Sequence, residues 1–189
     1  MIKCKKDYKE YIIEDEKAID CNNKSFLKKH LNPIWKFERV LRKHEYYNNC
    51  SKNILLKQYY RIKHKRLGIK YGFTIPINTF GKGLSIAHIG TIVVNNSTKV
   101  GDYCRIHACV NIGTEAGKKN NAPTIGNGVY IGPGAKIFGN IKIGNNIAIG
   151  ANAVVNKSFI EDNISIGGIP AKKISNKGST GLHYNPNNK

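Results

Sequence analysis

The chain has 189 residues, a formal net charge of +19 at pH 7, and 40% hydrophobic residues. This length allows one well-packed core, or a core with a small companion domain. No run approaches the roughly 20 apolar residues of a membrane span, and residues 1–12 are charged and hold no apolar segment of a secretory signal. Five cysteines at irregular spacing, none at metal-ligand spacing, favour a reducing cytosol and predict no metal site.

Residues 1–71 are predicted to form an α-helical domain, because apolar and charged residues mix there without the alternation of a strand. Pro33 suits the first turn of a helix, and Gly and Asn pairs are expected to end helices. The predicted helices are Lys5–Asp15, a short one after it, one with Pro33 in its first turn that runs to about Tyr47 and is broken by Asn48-Asn49, and one from Ile54 to about Leu67 with Gly68 and Gly72 at its end.

The helical domain is strongly basic. Residues 24–72 hold fourteen Lys and Arg against only two acids, Glu38 and Glu45. Such a surface attracts anions, whether nucleic acid, anionic lipid, an acidic glycan or a phosphorylated cofactor, although a merely solvated basic face is the alternative. Because no nucleic-acid fold motif accompanies the charge, a nucleic-acid partner is not expected.

The run from Thr124 to Phe159 repeats with a strict period of six, which fits neither a helix nor an ordinary strand. A repeat of six predicts a parallel β-helix in which three hexapeptides of roughly 18 residues form one triangular coil. Gly and Asn near the corners suit turns with positive φ. Two aliphatic sets are expected to face inward, first Ile125, Ile131, Ile137, Ile143, Ile149 and Val155, then Val129, Ala135, Ile141, Ile147, Ala153 and Phe159.

The same period extends backward to Val94, Val100, Ile106 and Ile112, and the β-helix is predicted to start near Phe73. The polar segment 113–123 makes the next spacing thirteen, one more than two repeats. We expect a loop thrown out of one coil there, and loops on rigid scaffolds often carry function. The tail after Ile174, rich in Asn, Gly, Lys and Ser, is expected to be loose.

His88 is the first candidate for chemistry. A β-helix face buries imidazole poorly, so His88 is expected to project outward, where a neighbouring subunit could cover it. A neutral imidazole can accept a hydroxyl proton at neutral pH, although an ordinary surface histidine is the alternative. His107, nineteen residues later, is about one coil away and is predicted to stack near His88. There it orients that ring, contacts the substrate that carries the hydroxyl, or simply packs.

Several segments together carry a family resemblance: the hexapeptides, 81–94 around His88, 111–114 before the loop, 130–139, and the ending Gly-Gly-Ile-Pro-Ala-Lys-Lys-Ile at 167–174. They resemble the serine acetyltransferase group of left-handed β-helix acyltransferases, and more closely its capsule and exopolysaccharide O-acetyltransferase branch. The resemblance covers residues 72–174, and less specifically 32–72. It implies direct transfer of acetyl from acetyl-CoA to a hydroxyl, with no acyl-enzyme.

The resemblance also implies roles for particular residues. His88 matches the general base, and the family's active sites lie between subunits of a trimer, with the cofactor along the β-helix. By position, Gly113, Thr114, Gly134 and Ala151 match cofactor-lining sites. Lys172 and Lys173 are expected to meet CoA phosphates, or else to be ordinary exposed lysines.

The departures from the family concern the acceptor. Ala87 stands where serine acetyltransferases carry Asp, and Ala122 where they carry the loop His. The segment that supplies the orienting Asp, residues 72–76, has no carboxylate here, and Glu115 in the loop is the candidate to replace it. Because these lost groups grip the amino acid's charges, we expect a sugar hydroxyl as acceptor.

The sequence thus favours an acetyl-CoA-dependent O-acetyltransferase acting on a capsular or surface polysaccharide or its precursor, with no metal. Serine O-acetyltransferase is the alternative acceptor assignment, and a non-catalytic basic scaffold is the alternative of another class. We expect a cytoplasmic protein, or one at the inner face of the membrane, that forms a homotrimer or a dimer of trimers, with a possible contact to anionic lipid.

Overall fold

The structure is a computed structural model that describes residues 1–20, 26–118 and 121–186, for residues 26 and 28 the backbone alone. In these ranges, four helices precede fourteen short strands. The helices are α1 Lys5–Ala18, α2 Phe26–Leu31, α3 Pro33–Cys50 and α4 Ile54–Tyr71. The strands are β1 Phe73–Thr74, β2 Ser85–Ile86, β3 Ile92–Val94, β4 Lys99–Val100, β5 Arg105–Ile106, β6 Asn111–Gly113, β7 Thr124–Ile125, β8 Tyr130–Ile131, β9 Lys136–Phe138, β10 Lys142–Ile143, β11 Ala148–Ile149, β12 Val154–Val155, β13 Ser165–Gly167 and β14 Lys172–Ser175.

The helices follow local signals at their ends. The side chain of Asn32 accepts from the backbone N–H groups of Ile34 and Trp35 and so caps the start of α3, with Pro33 in its first turn. Three predicted ends came too early: α1 continues past Asp15 to Ala18, α3 continues through Asn48-Asn49, and α4 continues through Gly68 to Tyr71. None of the helices in the described ranges is long and apolar enough to cross a membrane.

Gly68 does not end α4. It lies inside the helix because the helix backbone passes close to the first strand at this position. A Cβ at this position would lie 2.5 Å from the carbonyl oxygen of Phe73, so only glycine lets the helix pack this near the first strand. The helix ends instead at Gly72, which has a φ of 79°.

Except for the last strand, β14, the strands pair in parallel within three faces, which confirms the predicted β-helix. The five-stranded face has the order β1-β3-β6-β9-β12, the three-stranded face β10-β7-β4, and the six-stranded face β14-β13-β11-β8-β5-β2. Ile137 pairs with Val155 and Ile131 with Ile149, each eighteen residues on, as expected for one coil. Ile112 instead pairs with Ile137, because the loop before Thr124 adds seven residues to that coil.

The predicted inward positions form the core. The first apolar set is 0–4% exposed, and the second is buried apart from half-buried Phe159. Each coil therefore contributes aliphatic side chains to one continuous column, while its backbone groups bond to the coils above and below.

The first coil has no earlier coil to bond to, and the helical domain takes that place. Backbone N–H groups of Leu84 and Ile86 donate to Asp15 Oδ1 (2.9 Å) and Glu38 Oε1 (3.2 Å). The guanidinium of Arg42 donates to two carbonyl oxygens of the same coil, those of Phe80 and Gly81, and pairs with Asp15 and Glu45. We call Asp15, Glu38, Arg42 and Glu45 the buried ionic cluster; each is at most 1% exposed.

The tail differs from the sequence expectation of a loose segment. Strand β14 pairs antiparallel with β13, and the Ser179 hydroxyl, fully buried, donates to the Gly128 carbonyl oxygen. The imidazole of His183 lies 2.8 Å from the Tyr103 carbonyl oxygen through Nε2. The tail up to residue 186 is thus anchored against the β-helix, and 187–189 lie outside the described residues.

Candidate active site

The site is built around the corner that joins the six-stranded face to the five-stranded face in the first coil. Ser85 and Ile86 of β2 are buried, and the chain then turns through Ala87, His88 and Ile89 before β3 begins. The prediction that His88 projects outward is confirmed, since its side chain is exposed. Within the described residues, no hydrogen bond engages its ring, so the imidazole is available to a substrate.

A wide cleft of about 670 Å³ lies beside His88. Its opposite wall is the turn between α2 and the start of α3. The lining residues are Leu31, Asn32, Pro33, Ile34, Ala87, His88 and Ile89. Apart from the histidine, none of these carries a charge, so the described wall of the cleft is apolar with one amide. That amide belongs to Asn32, whose oxygen already caps α3.

The strand that precedes His88, β2, is anchored from the helical side by Glu38. Its carboxyl accepts from the N–H of Ile86, two residues before His88, and its second oxygen, Oε2, finds no partner among the described residues. Burial, together with the charge of Asp15, raises the pKa of Glu38 well above its usual value. Glu38 is therefore an anchor of the first coil and does not reach His88 through any described bond.

His107 lies close to His88, as predicted, with ring centroids 5.9 Å apart. The register is not a direct stack: Ile86 pairs with Ile106, so His107 lies beside Ala87. The ring of His107 also lies 5.0 Å from that of Tyr130, and its Nε2 is buried with no partner in the described structure. Burial, and then the charge of Arg105, lower the pKa of His107, so this ring stays neutral near pH 7.

The residues matched to the cofactor are distributed over two edges. Gly134 lies at the same corner as His88 two coils further on, and Ala151 lies one coil beyond it, because Asn152 bonds back to Pro133. At φ 75°, a Cβ on Gly134 would meet the amide oxygen of Asn152 at 2.0 Å. Gly113 and Thr114 instead lie where the strands of the five-stranded face end, so one chain does not bring them to His88.

The two lysines lie at the far end of the corner. Lys172 pairs with Gly167 in the last antiparallel strand and is exposed. Lys173 forms an ion pair with Glu161, with Nζ to Oε1 at 2.6 Å. Of the two, Lys172 is thus the cation without a carboxylate partner among the described residues.

The extruded loop is confirmed in part, since residues 119 and 120 lie outside the described residues. The carboxylate of Glu115 pairs with Lys118 at 2.8 Å, and no described contact joins it to His88. Ala122 is buried at the base of the loop. The predicted substitute for the missing orienting carboxylate is therefore occupied elsewhere within this chain.

Sequence reasoning missed the second wall of the cleft. The turn at Leu31, Asn32 and Ile34 precedes His88 by more than fifty residues, and no periodic pattern links the two. The Asn-Pro pair signals a helix start but says nothing about what that start packs against. Metal ligation was not expected, and no cluster of ligating side chains occurs in the described part of the chain.

Comparison with known proteins agrees with this architecture. The family described as bacterial transferase hexapeptide, six repeats, matches residues 122–157. No curated protein sequence matches the chain. Among solved structures, the serine acetyltransferase of Brucella abortus strain S19 is 25% identical, with a TM-score of 0.74 over 93% of this chain and 72% of its own. The fold is a left-handed parallel β-helix.

Two further structures were solved with bound molecules. The Brucella abortus enzyme in complex with coenzyme A is 26% identical, with a TM-score of 0.74 over 92% of this chain and 70% of its own. Soybean serine acetyltransferase complexed with serine is 24% identical, with a TM-score of 0.74 over 89% of this chain and 70% of its own. At that identity the soybean likeness concerns the fold alone.

Proposed function

We propose that this chain is an acetyl-CoA-dependent O-acetyltransferase in which His88 is the general base. The observation that carries the proposal is the placement of an exposed, unengaged imidazole at a β-helix corner, facing an open cleft. The hexapeptide-transferase match and the likeness to serine acetyltransferases, one of them solved with coenzyme A, support the reaction class and the acetyl donor.

The proposed step needs one base and one leaving group. Acetyl-CoA supplies the acetyl group as a thioester. His88 accepts the proton of an acceptor hydroxyl while the hydroxyl oxygen bonds to the carbonyl carbon, and the carbon–sulfur bond then breaks. The proton on His88 passes to the departing thiolate, which leaves as free CoA. Backbone N–H groups at the corner are the candidates to stabilise the oxyanion.

The residues present fit a long, thin donor along the corner. Gly134 and Ala151 are small residues at this corner, and Lys172 adds an exposed cation at its far end. Gly113 and Thr114 lie on another edge, so they would serve only if a second subunit brings them to the corner. This arrangement supports a homotrimer with sites between subunits, or a dimer of trimers; sedimentation of an active sample tests it.

The acceptor is the finer question. The solved structures compared with this chain are serine acetyltransferases, and they favour serine, the alternative acceptor, over the polysaccharide prediction. Serine is a zwitterion, and a site that selects it is expected to pair both of its charges.

One observation keeps a sugar hydroxyl as the second candidate. Apart from His88, the described wall of the cleft has no charged side chain, and it includes Ala87, at which the family resemblance implies an Asp in serine acetyltransferases. A neutral acceptor loses nothing in such a cleft, whereas each missing charge-assisted contact to serine costs about 1.5–3 kcal/mol. A cytoplasmic location and contact with anionic lipid stay predictions alongside this one.

The experiment is a competition read as thiol release from acetyl-CoA. Serine, neutral sugars, nucleotide sugars and acidic oligosaccharides are compared as kcat/KM on the same preparation, with homoserine as a matched amino-acid control. Serine at about 10⁴ M⁻¹s⁻¹ or more establishes a dedicated serine enzyme. A sugar that exceeds serine by two decades establishes the glycan acceptor. Release no faster than in a protein-free blank, across the whole panel, contradicts the enzyme and favours the non-catalytic scaffold.

A further inference from the structure

The helical domain holds a second, smaller cavity of about 180 Å³, between α3 and α4. It is separate from the His88 cleft, although Trp35 in its wall directly follows Ile34, which borders that cleft. We call this cavity the basic pocket, and its lining residues include Trp35, Lys36, Arg39, Lys43, Tyr60 and Lys63.

The charge of the basic pocket is not balanced. Among the described residues that line it, four are cations and none is acidic. In the described parts of the chain, none of the ion pairs involves these four, although most carboxylates elsewhere are paired. The cations therefore attract an anion from solution.

Aromatic rings hold two of these cations in place. The Arg39 guanidinium lies 5.9 Å from the ring centroid of Trp35, and its Nη1 lies 3.1 Å from His30 Nε2. The Lys43 ammonium lies 5.3 Å from the ring centroid of Tyr60 and donates to its hydroxyl at 3.2 Å. Cation–π contacts and half-burial restrict these side chains, so less ordering entropy remains to be lost on binding.

We propose that the basic pocket binds a phosphate group, free or as the monoester of a small molecule. An Arg fork matches the oxygens of phosphate, and several Lys point charges suit a doubly charged group. The volume is below the roughly 300–1,000 Å³ of drug-sized ligand sites, so it fits one such group with little attached to it. The proposal goes beyond acetyl transfer and does not depend on it.

The chain carries its own reporter for this test, because Trp35 is its single tryptophan. Tryptophan fluorescence of the full chain is titrated with inorganic phosphate at constant ionic strength, set with chloride to keep screening fixed. We expect a saturable change in the wild type. The Arg39→Ala/Lys43→Ala variant is expected to raise the apparent Kd at least about tenfold. A matched control, Lys52→Ala/Lys142→Ala, removes the same charge from exposed positions outside the pocket and should leave the Kd unchanged.

Further arms distinguish the source of the phosphate. Glucose 1-phosphate stands for a sugar phosphate, and neutral vesicles with or without phosphatidic acid stand for a lipid headgroup; tighter saturable binding in one arm identifies the source. Two results overturn the proposal: no saturable change in any arm up to about 10 mM, or an equal loss in the matched control, which would indicate charge without a site. Because no acetyl-CoA is used, a failed acetylation assay leaves this test intact.

Discussion

The two regions of this molecule are held together by different physics. The β-helix buries aliphatic side chains in a column, and stacked coils satisfy each other's backbone groups. Among the described residues, the buried charged side chains all lie on α1 and α3, where they bond to the first coil. A repeating structure stabilises its own interior but not its end, so the end that carries His88 depends on the helical domain.

The buried ionic cluster forms the junction between the helical domain and the first coil, and its electrostatics follow from its burial. Burial alone would lower the pKa of Arg42, but Asp15 and Glu45 beside it outweigh this effect and raise it, so the guanidinium stays charged. Buried ion pairs add little net stability, yet removing one partner is costly, because the other is left uncompensated. The junction is therefore sensitive to the loss of any one of its charged groups.

A substitution in the aliphatic column of the β-helix is expected to have the largest effect on stability. Ile137→Asp places an unpaired carboxylate in a fully buried aliphatic position and is expected to lower the free energy of unfolding by about 4 kcal/mol or more. Thr124→Asp, an exposed strand position, is the control and should change stability by about 0.5 kcal/mol or less. Denaturant unfolding measures both, and equal stability of the two variants would contradict the inward register.

A substitution at the junction, in the buried ionic cluster, is expected to have the second largest effect on stability. Arg42→Met leaves Asp15 and Glu45 without their cation and two first-coil carbonyls without a donor, and is expected to cost about 3–5 kcal/mol. Arg66→Met, exposed on α4, is the matched control. Hydrogen exchange should show the loss of protection concentrated at the first coil, at Leu84 and Ile86. A uniform loss of protection through the β-helix would contradict a stabilising effect of the buried ionic cluster that is confined to the first coil.

A pH titration sharpens the comparison with a smaller effect. His64 on α4 packs against His44, with their Nδ1 atoms 3.1 Å apart, and burial followed by His44 lowers the pKa of His64 to about 4. The unfolded chain takes up its proton near pH 6.5, above the folded one, so stability falls as pH drops from about 6.5 to about 4. The pKa difference corresponds to at most about 3 kcal/mol.

His64→Phe is the variant that isolates this group, because it keeps a ring against Phe37 and does not titrate. His44, His107 and His183 also have lowered pKa values and act in the same direction, so the wild type minus the variant is the relevant difference. Stability curves that stay parallel from pH 7 to pH 4 would contradict the assignment.

The column could be predicted from sequence because its information is local. Residues six apart occupy equivalent positions in the coil, so the spacing alone predicts that the set from Ile125 to Val155 is buried. The end of α3 could not be predicted in this way. Asn49 lies within that helix, where its side chain bonds to the Ile2 carbonyl oxygen and to Asn78, which are far away in sequence.

The candidate site also contains some residues that could be predicted from the sequence and others that could not. His88 was found because the residues around it resemble a known motif, and His107 because the coil length places it nearby. The cleft wall at Asn32 and Ile34 and the anchor at Glu38 depend on how the helical domain docks, and docking leaves no period in the sequence. The loose-tail expectation failed for the same reason, since Ser179 is buried by contacts with Gly128 and Asn146.

The most direct test of the account is the turnover of His88→Ala with the acceptor that the competition assay selects. We expect a loss of roughly 10²–10⁴ in kcat, the span for losing a general base, with acetyl-CoA affinity nearly unchanged. His107→Ala should lose less if that ring only positions its neighbour, and Lys52→Ala serves as the unaffected control. Turnover of His88→Ala within about twofold of the wild type would remove His88 from the mechanism.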